Sequence, residues 1–533
     1  MAATPTQLAT PPATSTAPDL AATSPAPSSP PPPVLASHAC NTCRSRKKGC
    51  DKLLPTCGYC SRRSLSCRYL ALVPDRKEDS SLPSSLRLDD TLPLDHVGPA
   101  ASQASQITSI HGSAQSSLVF VDSILEAIPL RLSGLQRSGE PLGLDHVLRS
   151  QVDRLTRARG YYLDDITSRY FQGMHKWLPV ISRNKFHAEF INNQIPWPAD
   201  FSILLLAMFL VVWQPSPESG IDDDRGTLHV VIKMLFAQVQ AVLPPSTRLI
   251  QAGLLISVFE YAHELKNAAL VSITSCAKMA YIMRPNAHTS GEARSETREE
   301  RNLWWGLVIY ESIIIVYSCS AFSTEFPSMK DDLPSEYEVL DQTPDTIHSE
   351  YKSLANWSNK TVGSFGRSAQ ATFLLSRTIA SMKIDDLKAR HAVSSDIDTQ
   401  LQQFLSIVLE QGGGICGPYC GAVAITLKAL FILHQSLLDQ AISDGDVGGF
   451  KKSSLAALDS MMRMVIDIAS SFNQNLPVLD LELYPPMCLH LVRWIMYNFL
   501  GTNSLRDEVG GHNFQELSKM LYYLNNRWKI IDD

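Results

Sequence analysis

The sequence predicts a mostly α-helical protein, with a small N-terminal six-cysteine module joined by a flexible linker to a large all-α domain. Three observations carry that prediction. The six cysteines between Cys40 and Cys67 fall into two triplets of identical spacing. The stretch after them, 70–115, is rich in proline and serine. From about 116 onward apolar residues recur at helical spacing, and strand-like alternation is scarce.

The chain divides by composition into 1–38, 39–69, 70–115 and 116–533. Residues 1–38 are rich in Pro, Ala, Thr and Ser, with the run Pro30–Pro33 and Asp19 as the one charged side chain. Such a composition cannot bury enough apolar surface to offset chain entropy, so a disordered tail is expected. No basic region precedes an apolar core there, and no Arg or Lys occurs before Arg44, which argues against secretory and mitochondrial leaders. The run Ile203 to Trp213 is about half of what spans a bilayer. A reducing, intracellular setting is the expectation, with no membrane partner. With 533 residues, 44% of them hydrophobic, the chain has material for a large core beyond the cysteine module.

Cys40, Cys43 and Cys50 are separated by two and six residues, and Cys57, Cys60 and Cys67 repeat that pattern 17 positions later. Two copies of one unit, related by a pseudo-two-fold axis, follow from so strict a repeat. The two-residue spacing lets two thiolates face one ion from a tight turn, as in zinc sites. Two four-coordinate zinc ions per chain need eight ligand positions, and six cysteines supply eight only when two of them bridge. One bridge from each triplet keeps the symmetry, with Cys40 and Cys57 the natural choice. The segment has few apolar side chains of its own, Leu53, Leu54 and Leu65. Metal must therefore supply most of its folding free energy, about 10–16 kcal/mol for structural zinc in finger peptides.

A basic run fills the first triplet: Arg44, Arg46, Lys47 and Lys48, ending at Gly49. Thr42 suits the N-cap of a short helix carrying it, and Gly49 suits its stop. Over 40–69, eight basic residues face the single acid Asp51, a net +7 that leaves −13 for the rest of a chain whose total is −6. Two zincs and six thiolates lower the module to about +5, still a footprint for a phosphate backbone. Nucleic-acid affinity is thus expected here alone, with Arg44, Arg46, Lys47 and Lys48 as the DNA-binding residues. Arg44–Lys48 with Arg62-Arg63 also fit a nuclear import signal.

At these residues the sequence resembles the fungal zinc binuclear cluster transcription factors of the galactose-regulator type. The resemblance covers all six cysteines, Arg44, Arg46-Lys47, Asp51, Pro55 and Arg68-Tyr69. It implies one zinc on Cys40, Cys43, Cys50 and Cys57, and another on Cys57, Cys60, Cys67 and Cys40. It further implies that Lys47 reads a CGG-type triplet in the major groove, with Arg46 beside it and Arg44 on phosphate. Pro55 would form the turn between the halves. The family commonly has a basic residue just before the third cysteine; here it is Gly49, one phosphate contact fewer. Family members often carry a coiled coil after the cluster, but 70–115 has no sustained heptads and contains Pro74, Pro83, Pro93 and Pro99.

In the helical region, Leu254, Leu255, Val258, Tyr261 and Leu265 share one face, with Ser257, Glu260, Glu264 and Asn267 opposite, which predicts a half-solvated helix. Leu303, Leu307, Tyr310 and Ile314 repeat the rhythm, as do Leu455, Leu458, Met462, Val465, Ile468 and Phe472. Ile313–Val316 is β-branched but continues a helical pattern. Several stretches resemble the regulatory middle homology domain of the same family: Tyr170-Phe171 with His175, Trp177, Pro179-Val180 and Phe186; Leu204–Leu210; Gln251 to Met283; Arg298-Glu299-Glu300-Arg301 before Trp304-Trp305; and Asp331-Asp332-Leu333-Pro334.

Other motifs weigh less. His187-Ala188-Glu189 has the H-x-E of zinc deaminases but lacks their P-C-x-x-C partner, since Cys416 and Cys420 are C-x3-C. Cys276, Cys319 and Cys488 read as core thiols. Gly412–Gly414 lacks the Lys-Ser/Thr of a phosphate loop. Met461, Met462 and Met464 read as core, and Trp304-Trp305 as a helix–helix contact. The acidic stretch Glu325 to Asp345 reads as a solvated loop. Without a secretory signal, the sequons at Asn356 and Asn359 are not expected to be used. No catalytic constellation stands out. The expected function is a nuclear, sequence-specific transcription regulator of RNA polymerase II genes. Its expected partners are duplex DNA, a second copy or a related chain as dimer, and coregulators of the transcription machinery. The alternative is a zinc-stabilised interaction protein without productive DNA binding.

Overall fold

The structure, a computed structural model, describes residues 43, 48–53, 56–63, 142–191, 197–213, 223–283, 297–316, 322–324, 327–329, 331–341, 353–354, 356–413, 417–443, 450–500 and 508–528. The tail 1–38, the linker 70–115, Cys40, Arg44, Arg46, Lys47, Pro55, Cys67, Cys319 and Cys416 lie outside the described residues. The chain forms two compact units, Met1–Ser102 and Gln103–Asp533. The first contains one short described helix, α1 (Gly58–Arg62). No strand occurs among the described residues, where an isolated antiparallel bridge joins Asp332 and Ser353.

The second unit begins with α2 (Leu142–Ala158), α3 (Leu163–Gln172), α4 (Arg183–Ile191) and α5 (Ala199–Val212). It continues with α6 (Asp223–Val242), α7 (Thr247–Ala262), α8 (Lys266–Met283), α9 (Arg298–Ile315) and the single turn α10 (Tyr337–Leu340). Then come α11 (Ser364–Ser381), α12 (Leu387–Gln411), α13 (Cys420–Ser443), α14 (Phe450–Asn475), α15 (Pro486–Leu500) and α16 (Glu508–Trp528). One apolar core runs from Leu144 to Trp528.

α5 is the axis of the first half. Its sequence ADFSILLLAMFLVV has no polar stripe, and every residue in it is buried, as an all-round apolar helix must be. It packs on α7, with α2, α3 and α6 around it. Each buried Leu, Ile or Phe contributes about 1.5–3 kcal/mol, so this helix fixes its neighbours. The second half centres on α11 against α13, flanked by α12, α14 and α15. Gly417–Gln440 is long and apolar enough to cross a membrane, but its apolar 18-residue window is 72% buried inside the helical body.

The half-solvated reading of α7 is corrected here. Five helices (α5, α6, α8, α9 and α15) pack on it, so both faces are covered. Ser257 and Glu260 are fully buried, while Leu265, beyond the helix end, is exposed. Glu260 is tolerated because its Oε1 meets His229 Nε2 at 2.8 Å and accepts from Lys233 Nζ. The spacing on α9 holds: Leu303, Leu307, Tyr310 and Ile314 are all buried, and Ile313–Ile315 are helical. On α14 the buried face is rotated, through Ser454, Met461, Val465, Ile466, Ala469 and Phe472, leaving Leu455 exposed.

The acidic stretch is also corrected. Among its described residues, Glu336 accepts the Phe365 and Gly366 N–H groups at 3.2 and 2.9 Å, covering the start of α11. Asp341 accepts from the Ser182 hydroxyl at 2.8 Å, and the Asp332 carbonyl accepts the Trp305 indole N–H at 2.9 Å. Glu336 and Asp341 are thus half-buried and bonded into the fold, while Asp331 and Glu338 stay exposed, so the solvated reading holds for part of the stretch only.

Candidate metal centre and nucleic-acid interface

The metal site is built on the two half-repeats. In the second, Cys57 has extended backbone and caps α1: its Sγ accepts the Cys60 N–H at 3.4 Å. Cys60 lies inside that one-turn helix, which ends where Arg63 N–H meets the Cys60 carbonyl at 3.2 Å. In the first half, Cys43 is helical, and Lys48 N–H closes onto its carbonyl at 2.9 Å, turning the chain towards Cys50. Lys52 then takes a left-handed conformation, φ +61°, which reverses the backbone between the halves.

The halves are joined by Asp51. Its carboxylate accepts the Gly58 N–H at 2.9 and 3.0 Å and the Leu53 N–H at 3.4 Å. A carboxylate on the first N–H of a helix also meets the positive end of the helix dipole. Gly58 permits this approach, because a Cβ there would lie 2.4 Å from Asp51 Oδ2.

The Sγ atoms of Cys43, Cys50 and Cys57 all lie within 4.8 Å of one another. Cys43 Sγ is 3.6 Å from Cys57 Sγ and 3.9 Å from Cys60 Sγ. Thiolates sharing a tetrahedral zinc at Zn–S of about 2.3 Å sit about 3.8 Å apart, whereas disulfide sulfurs are about 2 Å apart. The spacing therefore fits a metal. Cys43, Cys57 and Cys60 are fully buried in so small a body, and only a cation offsets several thiolates held this close. The described part of the basic run is exposed: Lys48 and Gly49 face solvent, with open space around Gly49. Arg62 and Arg63 are exposed at the end of α1. The bracing role of Asp51 was not read from the sequence, although Asp51 is the single acid of the module and a matched position of the resemblance.

Elsewhere the weaker motifs find structural roles. Glu189 is paired with Arg248, whose guanidinium also contacts Asp200, so the H-x-E carboxylate is engaged in holding α4 to α5 and α7. Cys276, Cys420 and Cys488 are buried in the helical core. Trp305 is buried, and Trp304 meets Tyr281 edge-on at 5.4 Å. Phe171, His175, Phe186 and Phe201 form one aromatic cluster, with centroids 5.0–5.5 Å apart in sequence of contact. Glu299 accepts from Ser182 N–H, Gln251 and Lys185 at 2.9–3.0 Å, tying the charged start of α9 to α4 and α7.

A paired-thiolate metal module preceding an all-helical body is the class of protein that this arrangement defines. Residues 38–75 match the fungal Zn(2)-Cys(6) binuclear cluster domain, and the chain carries that zinc-binding domain. It is 29% identical over 127 residues to Transcription factor BOA15 of Botryotinia fuckeliana (strain B05.10), covering 23% of this chain and 68% of that protein. It is 38% identical over 99 residues to Depudecin biosynthesis cluster-specific transcription activator DEP6 of Fusarium langsethiae. That match covers 18% of this chain and 16% of the relative.

Proposed function

We propose that the chain is a nuclear, sequence-specific DNA-binding regulator of RNA polymerase II transcription. The observation that carries the reading is the pairing of clustered buried thiols with a module of net +7: the metal-braced turns hold a positive surface rigid. Two zincs are held, one by Cys40, Cys43, Cys50 and Cys57, the other by Cys57, Cys60, Cys67 and Cys40. Lys47 reads base edges of a CGG-like triplet, Arg46 lies beside it, and Arg44 and Lys48 sit on phosphate. One small module buries little surface, so useful specificity needs a second half-site, read by another copy or a related chain. The helical body is the regulatory part that meets the transcription machinery. The name of the Fusarium relative supports activation as the sign of control.

A mobility-shift titration on the full chain tests this reading. Lys47→Ala is expected to cost about 1–3 kcal/mol on a CGG-bearing duplex and to relax its preference over a scrambled one. Arg44→Ala should weaken both duplexes alike. Equal losses for both variants on both duplexes would refute this division of labour. Parent affinity without salt dependence would favour an interaction protein instead.

A further inference from the structure

Two helices of the second unit turn an apolar, nearly uncharged face outward. α6 and α8 both pack on α7 and run side by side. Lys233 Nζ donates to the Ser272 hydroxyl at 3.1 Å, and Gln240 Nε2 to the Ser275 hydroxyl at 2.6 Å. Beside those bonds each helix carries a seam of 4-3-4 spacing. On α6 it is Val230, Met234, Ala237 and Ala241. On α8 it is Val271, Ser275, Lys278 and Ile282. Val230 is 52% exposed, Val271 65% and Ile282 73%. Ala237, Ala241 and Lys278 are exposed as well, with Met234 and Ser275 half-buried. Each seam runs along about 17 Å of helix. A face left to water is normally rich in charge. Here no Asp or Glu occurs from Gly226 to Val242 or anywhere in α8. Lys233 is bonded to Glu260, and Lys278, the one charge on the seams, has its Nζ 5.8 Å from the centre of the Tyr281 ring.

We infer that the seams of α6 and α8 form the surface through which two copies of this chain pair. For its purpose, bringing a second DNA-binding module to a second half-site, this rests on the reading above and deepens it. Three features set the occupant. The linker 70–115 has no sustained heptads, so the pairing element lies elsewhere in the chain. A face almost without charge meets its own image without repulsion, as a two-fold contact demands, and offers a charged partner nothing. Two side-by-side seams of equal length take two helices at the same separation, and a second copy presents such a pair. A lone amphipathic helix from another protein would cover one seam and leave the other in water. The 4-3-4 spacing lets side chains interdigitate across the contact, and the small Ala237 and Ala241 let the helices approach closely. Val230, Val271 and Ile282, each mostly in water in one copy, leave it when two copies meet.

The test is sedimentation-velocity ultracentrifugation of the zinc-loaded full chain over a dilution series in the micromolar range. The parent should sediment as a dimer that dissociates on dilution. Val230→Glu/Ile282→Glu puts carboxylates from both copies into one dry contact and should weaken the dimer by about a hundredfold or more. The urea midpoint of the helical body should stay that of the parent, because both side chains face water in the single chain. Val230→Ser/Ile282→Ser, which adds no charge, should weaken the dimer by about tenfold and serves if the glutamates disturb folding. Stripping zinc with a chelator should leave the dimer intact, since both seams belong to the helical body. On a duplex with two CGG-type half-sites, the glutamate variant should lose the affinity that the parent gains over a one-site duplex. A parent that stays monomeric overturns the proposal and leaves the face to a helix of another protein. A dimer unmoved by both variants, or lost on chelation, pairs through another part of the chain and overturns it too. A parent that pairs through this face but prefers neither duplex overturns the DNA-binding reading and leaves the interface standing.

Discussion

Asp51 shows how much a single side chain decides in a module with almost no apolar core. Its carboxylate bonds the backbone at the start of the second half from the end of the first. Asp51→Ala should cost about 1–3 kcal/mol, the usual range for orphaning hydrogen-bond partners, read as faster loss of zinc to a competing chelator. Chelation kinetics equal to the parent's would show that the carboxylate is ornamental. Gly49 makes the opposite case. A side chain there meets open space and no positive φ requires glycine, so Gly49→Arg should fold and add one phosphate contact. Binding to every duplex should tighten, with a salt slope steeper by about 0.9; a variant that binds no tighter at low salt would disprove it. The cysteine spacing made the metal centre legible before any coordinates, because coordination chemistry acts through sequence-local turns. Asp51 was illegible, because its partners depend on where the chain folds back after Lys52.

At the scale of elements, periodicity found the helices but misjudged what covers them. α7 has a polar side, and spacing alone reads such a side as wet. Buried Glu260 shows why that inference fails: its partners, His229 and Lys233, come from α6, a separate segment. Burial alone would raise the Glu260 carboxyl; hydrogen bonds from His229 and Lys233 outweigh it and hold the group below its ordinary value. Glu260→Ala should destabilise the helical body towards the low end of about 3–5 kcal/mol, since Lys233 can still reach water. A urea midpoint within error of the parent would contradict this. The start of α9 was readable as a motif, and the structure supplies its mechanism. Thr297 and Glu300 cap each other's backbone N–H groups, while Glu299 faces the fold interior and binds three donors.

For the whole molecule, two kinds of stability coexist in one chain. The module 40–69 depends on metal, and the body on one large apolar core. Treating the full chain with a zinc chelator should abolish DNA binding while far-UV circular dichroism and the thermal midpoint of the helical body stay within error. A collapse of helicity on chelation would contradict that separation. The body has its own weakness in acid. Burial holds His490, which donates Nε2–H to the Tyr261 carbonyl, down to about 4, and burial against the weaker pull of Asp341 does the same for His175. Both lie below the unfolded value of about 6.5, so the unfolded chain takes up protons first. Their contribution is complete above about pH 6.5 and drains away as pH falls towards 4. Urea midpoints measured at about pH 7 and pH 5 should differ accordingly, and His490→Gln should narrow the gap.

One atom of the small module carries a broader consequence. Cys57 Sγ both belongs to the thiol cluster and starts α1 by accepting the Cys60 N–H. Ion capture and local folding therefore share a single handle, and neither completes alone. A cell's available zinc would then act as a licence, setting what fraction of the copies is competent however many are synthesised.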